Sequence, residues 1–110
     1  PVSALVFVGD AMEEDIDALG DAAGRLGLRG VPAFMFQEGR DAIAERAFRH
    51  VARLTKGAFC RFDAGAADEL RALLSAVAIY AAGGRRALAD RAARQGGPIA
   101  LIADQMTRGG

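Results

Sequence analysis

At 110 residues the chain has room for one hydrophobic core, and with 52% apolar and 25% charged residues it has the make-up of a folded domain, not of a disordered segment. Its 14 basic residues cancel its 14 acidic ones, which removes any bulk pull toward nucleic acid or anionic lipid. The single cysteine excludes an intrachain disulfide framework and any all-cysteine metal site.

The first apolar run is Val2-Ser3-Ala4-Leu5-Val6-Phe7-Val8, which ends at Gly9-Asp10. It is β-branched and aromatic and does not alternate, so it reads as a strand buried on both faces. Buried strands seldom open a natural protein, and this one follows Pro1 without an initiator Met, so further chain is expected before it. Residues 13–26 read as a helix: Ile16, Leu19, Ala23 and Leu26 fall on one face, and Glu13, Glu14 and Asp15 fill the first turn. Carboxylates there complement the exposed amides of a helix start. The stretch from Gly27 to Gly30 closes that helix.

The run Val31-Pro32-Ala33-Phe34-Met35-Phe36 is a second strand, with Pro32 tolerated at its entry, and Gln37-Glu38-Gly39-Arg40 turns out of it. Asp41 is placed to N-cap a helix running to about Lys56, with Ile43, Ala47, Phe48, Val51 and Leu54 as its apolar face and Gly57 as its stop. Ala58-Phe59-Cys60-Arg61-Phe62-Asp63 is the third strand. A helix over residues 66–82 carries Leu70, Leu73, Leu74, Val77 and Ala81 on one stripe, and Gly83-Gly84 breaks or kinks it. Residues 85–95 resume as a polar, arginine-rich helix, and Ile99, Leu101 and Ile102 leave the tail open between strand and helix.

The order β-α-β-α-β-α predicts a Rossmann-like α/β/α fold: a mainly parallel sheet of three strands, covered on both faces within a single domain over residues 1–110. The run at residues 76–82 is far too short to span a bilayer, and no charged segment followed by an apolar stretch opens the chain. A cytoplasmic location is the default expectation.

Ligands of open α/β sheets gather beyond the carboxyl ends of the strands. Here those positions are Gly9, Asp10, Ala11 and Met12, then Gln37, Glu38 and Gly39, then Asp63, Ala64 and Gly65. Asp10 is the leading candidate, because hard divalent cations take carboxylate oxygen and a strand end holds an Asp rigidly. The competing role for Asp10 is as a helix cap. Glu13, Glu14, Asp15, Asp17 and Asp21 form an acidic helix face of the kind usually left to solvent. His50 has no second ligand at a metal spacing, and Cys60 within a strand reads as a small buried hydrophobe. The glycine-rich stretches lack both the G-x-G-x-x-G pattern after a strand and the P-loop lysine. Arg85, Arg86, Arg91 and Arg94 cluster without aromatic neighbours, which reads as a solvated helix face rather than a nucleic-acid surface.

The segment Leu5-Val6-Phe7-Val8-Gly9-Asp10 with Glu13-Glu14-Asp15 resembles the later part of a von Willebrand factor A-type domain. The resemblance runs on through residues 31–39, 52–62 and 70–74, covers roughly residues 3–95, and is to bacterial proteins of this type. It implies the C-terminal half of a doubly wound fold and a non-enzymatic protein-interaction role. The family's adhesion-site metal is held by an Asp-x-Ser-x-Ser motif after the first strand, a distant Thr, and an Asp after the fourth strand. Only the last has a counterpart, Asp10, so the implied Mg²⁺ or Mn²⁺ site is incomplete and weak. The alternative is a fragment of a haloacid dehalogenase-type Mg²⁺-dependent phosphatase, whose late motif also sets Gly-Asp after a strand. The chain has no Asp-x-Asp after an early strand, Asp15-Ile16-Asp17 falling within a helix, and its only lysine is Lys56.

In the family the strand matching Ala4 to Val8 pairs with the strand that carries the missing motif. Its free side is therefore expected to pair with a second copy as a homodimer, unless residues 98–106 fold back over it.

Overall fold

The computed structural model describes residues 3–10 and 16–109, without the side chains of Ile16, Asp17 and Leu19. In order the elements are β1 (Leu5–Gly9), α1 (Ile16–Leu28), β2 (Ala33–Glu38), α2 (Ala42–Thr55), β3 (Ala58–Phe62), α3 (Ala67–Gln95) and α4 (Gly97–Gly109). The three strands form one parallel sheet in the order β1-β2-β3, with Leu5 opposite Ala33 and Met35 opposite Phe59. The α/β layout with a parallel sheet is therefore as the alternation of apolar runs predicts, and it is consistent with a Rossmann-like arrangement. The tail resolves as a helix, α4, and not as a strand.

Two cores sandwich the sheet. On one face Ala33, Met35 and Phe59 pack against Ala23 of α1 and Ala44, Ala47, Phe48 and Val51 of α2. On the other, Phe34, Phe36, Cys60 and Phe62 meet Leu73, Val77, Tyr80 and Leu88 of α3 and Ile99, Ile102 and Met106 of α4. Both crossover helices share a face, as successive right-handed crossovers require when the strands run in one direction across the sheet.

Asp41 caps α2 as expected: its carboxylate accepts from the amides of Ile43 at 2.9 Å and Ala44 at 3.0 Å. At the other end Lys56 takes the left-handed conformation (φ 59°) and ends the helix. Gly57 is needed for a different reason. A Cβ there would stand 1.9 Å from the carbonyl oxygen of Ala33, so only glycine lets β2 and β3 begin side by side. Thr55 fastens the same corner, accepting from the Ala33 amide at 2.9 Å and donating to the Val51 carbonyl at 2.9 Å. The expected break in the long helix falls at Gly84, where φ 75° and ψ −165° interrupt α3.

Three expectations of burial fail. β1 is not buried on both faces: Leu5, Phe7 and Val8 are 41–44% exposed, because β1 is an edge strand while α2, α3 and α4 cover β2 and β3. Ile43 and Leu54 do not belong to the inner face of α2. That face runs through Ala44, Ala47, Phe48, Val51, Ala52 and Thr55, so small residues lie against the sheet and let the helix approach closely. Leu74 is likewise exposed, and α3 presents Leu73, Ala76, Val77 and Tyr80 to the core instead. The expected first turn of the α1 helix, Glu13 to Asp15, lies outside the described residues.

Candidate functional site

The carboxyl end of the sheet brings fewer groups together than the strand ends suggest. Asp10 follows β1 in an exposed bend. Gln37, in register with Gly9, is fully buried, and its Nε2 donates to the Asp41 carbonyl at 2.9 Å. Gln37 therefore braces the start of α2, while its Oε1 has no partner among the described residues. Asp63 is exposed, and its amide donates to Glu69 at 3.4 Å, which ties the third strand end to the first turn of α3. Among the described residues, no three His, Cys, Asp or Glu side chains converge as metal ligands. Asp10 and Glu38 follow the paired residues Gly9 and Gln37 and so end neighbouring strands, without a third acid, His or Cys joining them as a metal-ligand group among the described residues. Ala11 and Met12, named with Asp10 from the sequence, lie outside the described residues.

A second polar centre joins α2 to β3. Glu45 of α2 accepts from Arg49 at 2.8 Å, one turn on, and from Arg61 of β3. The hydrogen bond from Arg49 is the main cause that holds the Glu45 carboxyl below the usual glutamate range; burial opposes it, and the charges of Arg61 and Arg49 and the hydrogen bond from Arg61 carry the balance downward. Arg49 also stacks on Phe59, with its guanidinium carbon 4.5 Å from the ring centroid. The pair at positions 45 and 49 is visible as a four-residue step, whereas the contribution of Arg61 arises only when β3 is laid beside β2 under α2.

Cys60 is buried as expected, and burial pushes its thiol up to about 11, against opposing effects from Gln105 and Arg49. It is not a thiolate at neutral pH. His50 lies exposed on α2. Arg85, Arg86, Arg91 and Arg94 are all exposed, and Arg85 also donates to the Met106 carbonyl at 3.2 Å, which ties α4 to the second half of α3.

The two edges of the sheet differ sharply. In a parallel ladder alternate residues bond to alternate sides. Leu5 donates to the Pro32 carbonyl at 3.0 Å, so Leu5, Phe7 and Gly9 face β2 and the N–H and C=O groups of Val6 and Val8 face outward. On β3 the outward residues are Phe59 and Arg61, and the backbone of Phe59 is sealed by one side chain. The carboxamide of Gln105 on α4 accepts its N–H at 2.8 Å and donates to its C=O at 2.7 Å. The tail therefore folds back over the β3 edge and not over β1. Among the described residues nothing pairs with the outer side of β1.

No family model, no curated protein and no solved structure matches the chain. Among the described residues no helix is long and apolar enough to cross a membrane.

Proposed function

We propose that this chain is a non-enzymatic protein-interaction module that works by strand addition at β1. The observation that carries this reading is the contrast between edges: α4 spends the Gln105 side chain to close β3 at Phe59, while among the described residues nothing pairs with the outward groups of Val6 and Val8, beside exposed Leu5, Phe7 and Val8. An uncovered apolar edge is a template for another strand, and soluble proteins ordinarily blunt such edges. The resemblance to the later half of a von Willebrand factor A-type domain agrees in one further respect. It sets a strand beside β1 on the side that is free, and it makes Asp10, just past β1, the remnant position of a divalent metal.

The test uses an extended peptide with the sequence of residues 2–9. At saturating peptide the amides of Val6 and Val8 are expected to exchange with solvent at least about tenfold more slowly than in dilute chain by itself. Unchanged exchange at both amides, with peptide and at high chain concentration alike, overturns the reading.

A further inference from the structure

The inference rests on strand addition at β1 and names the partner. α2 covers β2 and β3 and packs against α1 on its other side, so α1 is the helix of its face nearest the β1 edge. Its sequence carries Asp17, Asp21, Arg25 and Arg29 at successive four-residue steps, which is one ridge of a helix. Asp21, Arg25 and Arg29 are exposed, and among the described residues none of the three forms an ion pair. The order acid, acid, base, base is self-complementary when read against itself in the opposite direction. Beside the ridge, Leu28 is 90% exposed.

We infer that the partner is a second copy of this chain, bound about a two-fold axis with β1 antiparallel to β1 and α1 antiparallel to α1. Charge complementarity along α1 selects this occupant. A two-fold axis normal to the sheet keeps each face on its own side, so each α1 meets the other in reverse direction, with Asp21 of one copy facing Arg25 of the next. The strand side is compatible, because residues 3–9 carry no charge to repel their own copy.

The register follows from the outward groups. Centring on Phe7 pairs Val6 with Val8 of the second copy and Val8 with its Val6, which satisfies all the outward N–H and C=O groups of both strands. Phe7 then sits opposite itself at a close, non-hydrogen-bonded position, where cross-strand side chains touch. A five-residue edge extends only about 17 Å and buries too little for a stable dimer. The charged ridge of α1, antiparallel to its copy, adds contact beside the strand pair.

The experiment is light scattering of the full chain from about 1 to 200 μM, with three sets of variants checked for native far-UV circular dichroism. The wild type is expected to pass from monomer to dimer. Val6→Pro removes an outward donor without touching a β1–β2 bond and is expected to weaken association at least about tenfold. Asp21→Arg and Arg25→Asp are each expected to weaken it about tenfold, the double exchange to restore it, and the two single variants to prefer each other when mixed; tenfold corresponds to about 1.4 kcal/mol. Phe7→Cys in a Cys60→Ala background is expected to give a disulfide-linked dimer on mild oxidation, because the two Cβ atoms lie within bonding reach.

A wild type that stays monomeric across this range overturns the second copy. If the peptide of residues 2–9 still protects Val6 and Val8 in that case, strand addition stands and only the choice of partner falls. A dimer indifferent to both the charge exchange and Val6→Pro overturns this arrangement.

Discussion

Gln105 offers the sharpest test of how the sheet is closed. Replacing it by alanine removes the acceptor for the Phe59 N–H and the donor to the Phe59 C=O together. Leaving a buried backbone group unpaired costs about 1–3 kcal/mol each. Two facts place this site toward the low end: Gln105 is only half-buried, and a groove of about 550 Å³ beside Phe59, Arg61 and Leu101 gives water a path to the vacated edge. The expected loss is about 2–3 kcal/mol, which for a domain of this size lowers Tm by roughly 10–20 °C.

Urea titration supplies the stability, and hydrogen exchange at the Phe59 amide supplies the location. Thr107→Ala on the outer side of the same helix is the control. Its hydroxyl donates only to the Ala103 carbonyl of its own helix at an exposed position, so a change within about 0.5 kcal/mol is expected. If Gln105→Ala also falls within about 0.5 kcal/mol, or leaves the Phe59 amide as protected as before, the carboxamide does not seal the β3 edge.

Gly57→Ala is expected to abolish cooperative folding or cost more than about 4 kcal/mol, since its Cβ would press on Ala33 backbone atoms at 1.9, 2.7 and 2.8 Å; a melting temperature within a few degrees of wild type refutes the close approach. Glu45→Gln is expected to destabilise at neutral pH. Because the Glu45 carboxyl is lowered in the folded state, its contribution is present above the ordinary glutamate range and is lost as pH falls through the depressed value. The gap between wild type and variant in chemical denaturation should therefore close in acid and not in base. Cys60 should resist alkylation at pH 8 in the native chain and react at once in denaturant; equal rates would show an accessible thiolate. Asp10 as a remnant ligand should bind Mg²⁺ or Mn²⁺ at roughly millimolar strength, and tight stoichiometric binding in calorimetry that survives Asp10→Ala would remove it from that role.

Much of the architecture is a local property of the chain and was readable from it. Apolar runs bounded by glycine and acid mark the strands, Asp41 announces α2 through its side-chain capping bonds, and Gly84 marks the break in α3 through its positive φ. Each depends on residues within a few positions of one another. Burial, edge and pairing do not. Leu5, Phe7 and Val8 have the composition of a central strand, yet their exposure follows from the place of β1 in the sheet order, which strand composition does not encode. The inner face of α2 was misread because contact with the sheet favours Ala44, Ala47, Ala52 and the hydroxyl of Thr55 over the bulkier Ile43 and Leu54. Gln105 is 46 residues from Phe59, and Arg61 is 16 from Glu45, so neither bond leaves a periodic trace in the sequence. The candidate surface divides in the same way. The acid-to-base order along α1 is written in the sequence, but it becomes a surface only because packing lays α1 against α2 and leaves Asp21, Arg25 and Arg29 exposed.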